Sequence, residues 1–124
     1  MAANKVIRVG PVAMVTGSTP NLINCNVTAV TGPTGFTMTQ PYLIIRHIRL
    51  VNKTAGAITV SLYIGATTAS AAGTEFLGTA LSIAANSSYD WYGLLRLDAA
   101  DYLTGSASAN TSITFEAEGE AGIV

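Results

Sequence analysis

The sequence predicts an all-β chain: a two-sheet antiparallel β-sandwich, jelly-roll-like, with about seven to nine short strands. Three observations lead there. Residues 42–64, YLIIRHIRLVNKTAGAITVSLYI, hold two runs rich in Ile, Leu, Val and Tyr around the break Asn52-Lys53-Thr54-Ala55-Gly56. β-branched and aromatic residues suit a pleated, half-buried surface, and an Asn/Gly break between two such runs is a hairpin signal. In the second run Ile58, Val60, Leu62 and Ile64 alternate with Thr59, Ser61 and Tyr63. That is the two-residue period of a strand with one buried and one wet face. Finally, short apolar runs recur along the chain between Gly, Ser and Asn turns, with no convincing helix among them.

Residues 5–9 and 11–16 form an apolar segment broken at Gly10-Pro11. Proline has no N–H to give a ladder, so residues 1–16 read as an edge strand, two short strands, or an arm reaching onto a neighbour. Gly17-Ser18-Thr19-Pro20 reads as a loop. Over residues 22–30, Ile23, Cys25, Val27 and Ala29 alternate with Asn24, Asn26 and Thr28, which predicts a half-buried strand. Residues 31–41 carry paired Gly and Pro and read as an extended loop, with a short strand over 36–39.

Strict alternation in the first central strand puts Tyr42, Ile44, Arg46, Ile48 and Leu50 on one side and Leu43, Ile45, His47, Arg49 and Val51 on the other. Both sides are apolar enough for a mid-sheet position, with the Arg/His section near a rim or an interface. Residues 65–74 are small and polar and read as a loop or at most one loose helical turn. A short strand is expected over 75–81, a turn within 82–88, and an aromatic strand over 89–97. Asp98-Ala99-Ala100-Asp101 is a tight turn, since Asp side chains bond nearby backbone. Strands are expected again from Tyr102 and over 111–119, where Ile113, Phe115 and Ala117 alternate with Thr114, Glu116 and Glu118. No linker divides the chain, so residues 1–124 are expected to be one domain.

Charge is scarce. Asp, Glu, Lys and Arg make up 10% of residues and hydrophobic ones 49%, against about 25% charged in ordinary soluble domains. Such a surface repels its neighbours weakly and suits a protein partly hidden against copies or a partner. The net charge of −1 gives no electrostatic case for nucleic acid or an anionic membrane as partner. Residues 1–5 lack the apolar core of a signal peptide, and no apolar stretch of about 18 residues is present. The chain is expected to be soluble and not exported by that route. Its single Cys25 has no disulfide partner and reads as a buried thiol, a usage that fits the cytosol.

The chemistry of the residues points away from an enzyme. His47 is the only histidine, and no Gly-x-Ser-x-Gly elbow accompanies it. It reads as a structural or interface histidine, flanked by Arg46 and Arg49 whose charges oppose its protonation. One His and one Cys give no zinc spacing, and no glycine-rich phosphate loop is present, so no cofactor is expected. Glu116, Glu118 and Glu120 share one side of a strand and read as a solvated face rather than a Ca²⁺ site. Asp98 and Asp101 read as turn residues rather than a glycosidase pair. Tyr89 and Trp91 share a face while Tyr92 points the other way, as core packing or as a partner-contact or sugar-stacking patch. The residues expected at an interface are Val6, Ile7, Val9, Val12 and Met14 of the N-terminal segment, with Arg46, Arg49, Tyr89, Trp91 and Tyr92.

Residues 48–52, IRLVN, lead into AITVSLYIG at 57–65, and later into YDWYGLLRL-DAADYLTGSASA-NTSITFEAEGE. This series resembles the small β-sandwich virion proteins of tailed bacteriophages, seen near head genes. Their pattern is a strand, an Asn turn, a tvslyig strand, a leucine followed by xAGDxLxxxAS, and a last strand ending near Gly-Glu. Residues 97–108 match it, with Ala100 where the pattern usually has Gly. The likeness spans residues 42–120 and implies a capsid decoration (cement) protein. Such proteins bind the outside of the head as homo-oligomers, trimers favoured, and clamp neighbouring capsomers of the major capsid protein. The implied location is the virion, on the head exterior, after synthesis in the host cytoplasm. The alternative is a tail, collar or fibre component that binds host carbohydrate.

Overall fold

The computed structural model describes residues 5–14, 16, 19–24, 42–65, 73–98 and 101–121. Its strands are β1 (Lys5–Ala13), β2 (Thr19–Asn24), β3 (Tyr42–Asn52), β4 (Ile58–Gly65), β5 (Glu75–Ile83), β6 (Ser88–Asp98), β7 (Tyr102–Ala107) and β8 (Ile113–Ala121). Among the described residues they form two antiparallel sheets, ordered β1-β8-β3-β6 and β2-β7-β4-β5. The pairs β1–β8, β2–β7, β3–β6 and β4–β5 nest inside one another, and β3–β8 and β4–β7 complete the sheets. This is the wrapping of a jelly-roll sandwich. Cys25, the second half of the strand expected over 22–30, the segment 31–41 and most of the 65–74 loop lie outside the described residues.

The expected hairpin between β3 and β4 is not one. These strands lie in opposite sheets, and β4 makes its hairpin with β5 instead. Asn52 explains the corner. Only 1% exposed, it donates from Nδ2 to the carbonyls of Gly56 (2.9 Å), Ile83 (3.0 Å) and Ala84 (3.1 Å). Its Oδ1 accepts from the Thr54 N–H at 2.9 Å and the Thr54 hydroxyl at 2.7 Å. A buried amide that satisfies carbonyls from both inter-sheet crossings ties the β3–β4 connection to the β5–β6 connection. A hairpin would have left those carbonyls without that partner.

Strict alternation also fails in β3. The buried residues are Leu43 and Ile45, then Ile48, Leu50 and Asn52. Against β8 the register shifts between Ile45 and His47, which face the adjacent Gly119 and Glu118, so Arg46 is an extra residue in a bulge and everything beyond it changes face. Against β6 the shift runs the other way, with the extra residue on β6 between Leu95 and Tyr92. The bulge at Arg46 leaves one face apolar as far as Asn52 and puts Arg46, His47 and Arg49 together on the other. Gly119 sits opposite the bulge, where an added Cβ would collide with the Ile44 carbonyl oxygen. In β2, Leu22 and Ile23 are both buried, where alternation exposes one of them; the register slips between Thr19 and Ile23. The strand also begins at Thr19, inside the expected loop, with Pro20 on an edge strand where a missing N–H is tolerated.

Between the sheets lies one apolar core that includes Val9, Met14, Leu22, Leu43, Ile45, Ile48, Leu62, Leu97, Leu103 and Phe115, all fully buried. Each large side chain removed from water contributes about 1.5–3 kcal/mol before entropy is counted. β1 is an edge strand, interrupted where the register shifts between Val9 and Val12. Gly10 there has φ +90, and a Cβ would stand 2.7 Å from the Phe115 carbonyl oxygen, so only glycine fits.

Candidate functional site

The outer face of the β1-β8-β3-β6 sheet gathers most of the chain's few charges. From β1 comes Arg8; from β3 come Arg46, His47 and Arg49; from β6 come Asp90, Arg96 and Asp98; from β8 come Glu116, Glu118 and Glu120. All the arginines are there, while Glu75 and Asp101 alone of the acids are elsewhere. Alternation on β6 and β8 sends Leu95, Leu97, Phe115 and Ala117 inward and these groups outward.

The charges pair across strands. Arg46 Nε donates to Glu120 Oε2 at 2.7 Å, Arg49 Nε to Asp90 Oδ1 at 2.8 Å, and Arg96 Nε to Asp98 Oδ1 at 2.8 Å. The Arg96 guanidinium also lies 4.5 Å above the centre of the Tyr42 ring. At the middle sits His47, its side chain 13% exposed. Its Nε2 is 2.8 Å from Asp90 Oδ1 and its Nδ1 3.2 Å from Glu118 Oε1. A carboxylate only accepts, so serving both requires a proton on each ring nitrogen. Burial works against that proton, but the hydrogen bonds and charges of Asp90 and Glu118 outweigh it and raise the pKa of His47 above its usual value. The expectation that Arg46 and Arg49 oppose protonation is therefore overturned, because both arginines are themselves engaged by carboxylates. Asp90 shifts the other way: the hydrogen bond from Arg49 and then that from His47 hold its carboxyl below the usual range.

Apolar groups interrupt this lattice. Val6 is 84% exposed, Tyr92 72% and Leu94 65%. The Tyr92 ring stacks on the His47 imidazole, centroids 4.6 Å apart and planes 15° from parallel. Beside Val6, a shallow open groove of about 290 Å³ is floored by Gly119 and walled by Arg46, His47, Glu118 and Glu120. The face can hold an apolar side chain in that groove or present Tyr92 and Leu94 to a flat partner. Among the described residues no group of His, Cys, Asp and Glu is arranged to hold a metal ion.

The residues expected at an interface divide. Val6, Arg46, Arg49 and Tyr92 lie on the open face. Ile7, Val9 and Met14 are buried core residues and Val12 packs against them, because β1 is laid into the sandwich and its inward positions fill the space beneath β8. Ile7, Val9 and Met14 have no surface to offer another molecule in this fold, while Val12 stays partly exposed. Tyr89 and Trp91 are half-buried against the core, and Trp91 meets the Phe76 ring edge-on at 5.1 Å. Leu94, Asp90 and Glu118 belong to the face without having been singled out for it. The available signal was parity: Asp90, Tyr92, Leu94 and Arg96 share one side of an alternating strand. Compared with known protein families, curated proteins and solved structures, the chain matches none.

Proposed function

We propose that this chain is a structural protein of a tailed-phage virion, a capsid decoration protein that binds the outer surface of the head and clamps neighbouring capsomers. The observation that carries the reading is the jelly-roll wrapping, an architecture used by viral capsid and lectin domains. It accommodates the residue pattern over 42–120 that resembles such virion proteins. A rigid sandwich with exposed Val6, Tyr92 and Leu94 and a charge content of 10% suits adhesion to protein surfaces. Many copies on one shell gain from effective concentration even where each contact is modest.

Because β1 supplies core residues, deleting the N-terminal segment would unfold the protein rather than detach it. The test is co-sedimentation with empty phage heads, using wild type, Val6→Lys and Tyr92→Ala. Saturable wild-type binding, weakened at least several-fold by one of these folded variants, is expected. No binding to heads by the wild type overturns the reading.

A tail, collar or fibre component that binds host carbohydrate remains the second reading. The exposed Tyr92 ring beside Asp90 favours it, since sugars stack on aromatic rings and bond to carboxylates. A glycan array with a Tyr92→Ala control separates the two. Trp91→Ala would report a packing defect against Phe76 instead.

A further inference from the structure

Glu118 stands between two bases. In the ladder with β3 it faces His47, and in the ladder with β1 it faces Arg8. Directly opposed residues share a face, with Cβ atoms about 4.5–5.5 Å apart, so a glutamate side chain reaches either neighbour. In the structure it serves His47, with Nδ1 3.2 Å from Oε1. Arg8 is exposed, and among the described residues its side chain has no hydrogen-bond or ion-pair partner.

Where Glu118 rests depends on the proton count of one ring. Protonated, His47 donates from both nitrogens and holds Asp90 and Glu118 together. Neutral, it keeps one N–H and gains a lone pair, so one carboxylate must lose its donor. That one is Glu118. Its contact is the longer, 3.2 Å against 2.8 Å, and its side chain is 53% exposed against 27% for Asp90. Asp90 is also fixed from its other neighbour by Arg49 Nε at 2.8 Å. The remaining proton therefore sits on Nε2, and Nδ1 turns its lone pair on Glu118 Oε1, setting two acceptors against each other. The other groups around the ring are already placed: Arg46 on Glu120, Arg49 on Asp90 and opposite Glu116, and Tyr92 stacked over the imidazole.

We propose that Glu118 is a two-position latch, held on His47 while both ring nitrogens carry protons and turned to Arg8 once only one does. The exchange alters the groove beside Val6, because His47 and Glu118 both line it. A salt-bridged wall gives way to a bare imidazole nitrogen that accepts hydrogen bonds. It also alters the face, whose five acids named above balance its five bases only while His47 is charged. Burial disfavours the ring charge, but the two carboxylates outweigh it, so the change-over falls above the ordinary histidine value. None of this rests on the decoration-protein reading.

Side-chain NMR of the labelled protein, over about pH 5 to about pH 9, tests the latch. Neutral His47 should be the Nε2–H tautomer, and the Arg8 Nε–H resonance should shift with the same midpoint as the ring. That Arg8 response should vanish in Glu118→Gln, with an unchanged circular-dichroism spectrum. Arg8→Gln should raise the His47 midpoint by about 0.2–0.7 of a pH unit, the size of an exposed ion pair. In a Glu118→Gln background the same change should move it by less than half as much. An Nδ1–H tautomer or an Arg8 resonance that ignores the titration overturns the proposal. So does an equal effect of Arg8→Gln in both backgrounds, which would show Arg8 acting on His47 through its charge alone.

Discussion

The two outer strands of the charged sheet, β1 and β6, are interrupted in different ways. β1 carries the most exposed large apolar residue among those described, Val6, yet it is interrupted by Gly10-Pro11, and its other side is committed to the core through Ile7 and Val9. β6 has no proline but bulges between Tyr92 and Leu95, and it exposes Tyr92 and Leu94 beside a firmly buried Leu95 and Leu97. Proline and a bulge are the usual means of stopping further pairing at an edge; β1 has both and β6 the bulge alone. Apolar exposure alone therefore misleads, because what an edge can do depends on whether its backbone is regular.

The largest effect should come from the β1 edge. Gly10→Ala places a Cβ against the Phe115 carbonyl oxygen in a left-handed backbone conformation, and a loss of about 3 kcal/mol or more is expected in denaturant unfolding. Next, β6 should split by parity. Leu97→Ala, fully buried, should lose about 2–5 kcal/mol, while Leu94→Ala should stay within about 0.5 kcal/mol when unfolding is compared in the monomeric state. Equal losses would show that β6 does not alternate as described.

Between the edges, His47 should make stability depend on pH. Its pKa is raised in the folded state, so its contribution is complete below the ordinary value of about 6.5 and disappears as pH rises through the raised one. Asp90 is lowered, so its contribution is present above the ordinary carboxylate value and is lost only as strong acid protonates it. The unfolding midpoint of the wild type should fall between about pH 6 and about pH 8, and His47→Gln should remove most of that slope. The smallest effect is expected at Arg46. Its ion pair with Glu120 is largely in water, so Arg46→Gln should cost less than about 1 kcal/mol, and less still in high salt.

Much of the architecture was legible because β4 and β8 alternate cleanly: Ile58, Val60 and Leu62 point inward in one, Ile113, Phe115 and Ala117 in the other. The β3–β4 corner was not, because an Asn/Gly break signals a change of direction without saying whether the chain returns to the same sheet. Only the reach of Asn52 to Ile83 and Ala84, some thirty residues on, distinguishes them. The bulge at Arg46 was masked for a related reason. Arg46 and His47 are both polar, so the place where the apolar period changes phase looks like an ordinary wet section. The cluster itself joins His47 to Asp90 and Glu118, which are 43 and 71 residues away, and no local spacing can show a pairing that only the sheet order creates.

The nesting of β1 with β8 has a mechanical consequence. Lys5 lies across from Ala121 at one extremity of the ladder, so opposed tension applied at those two points parts the rungs singly, as a zipper opens, and should need little force. Tension along β3, gripped by β6 on one flank and β8 on the other, loads many rungs at once in shear. The sandwich should resist being stretched through its middle far better than being peeled from that corner.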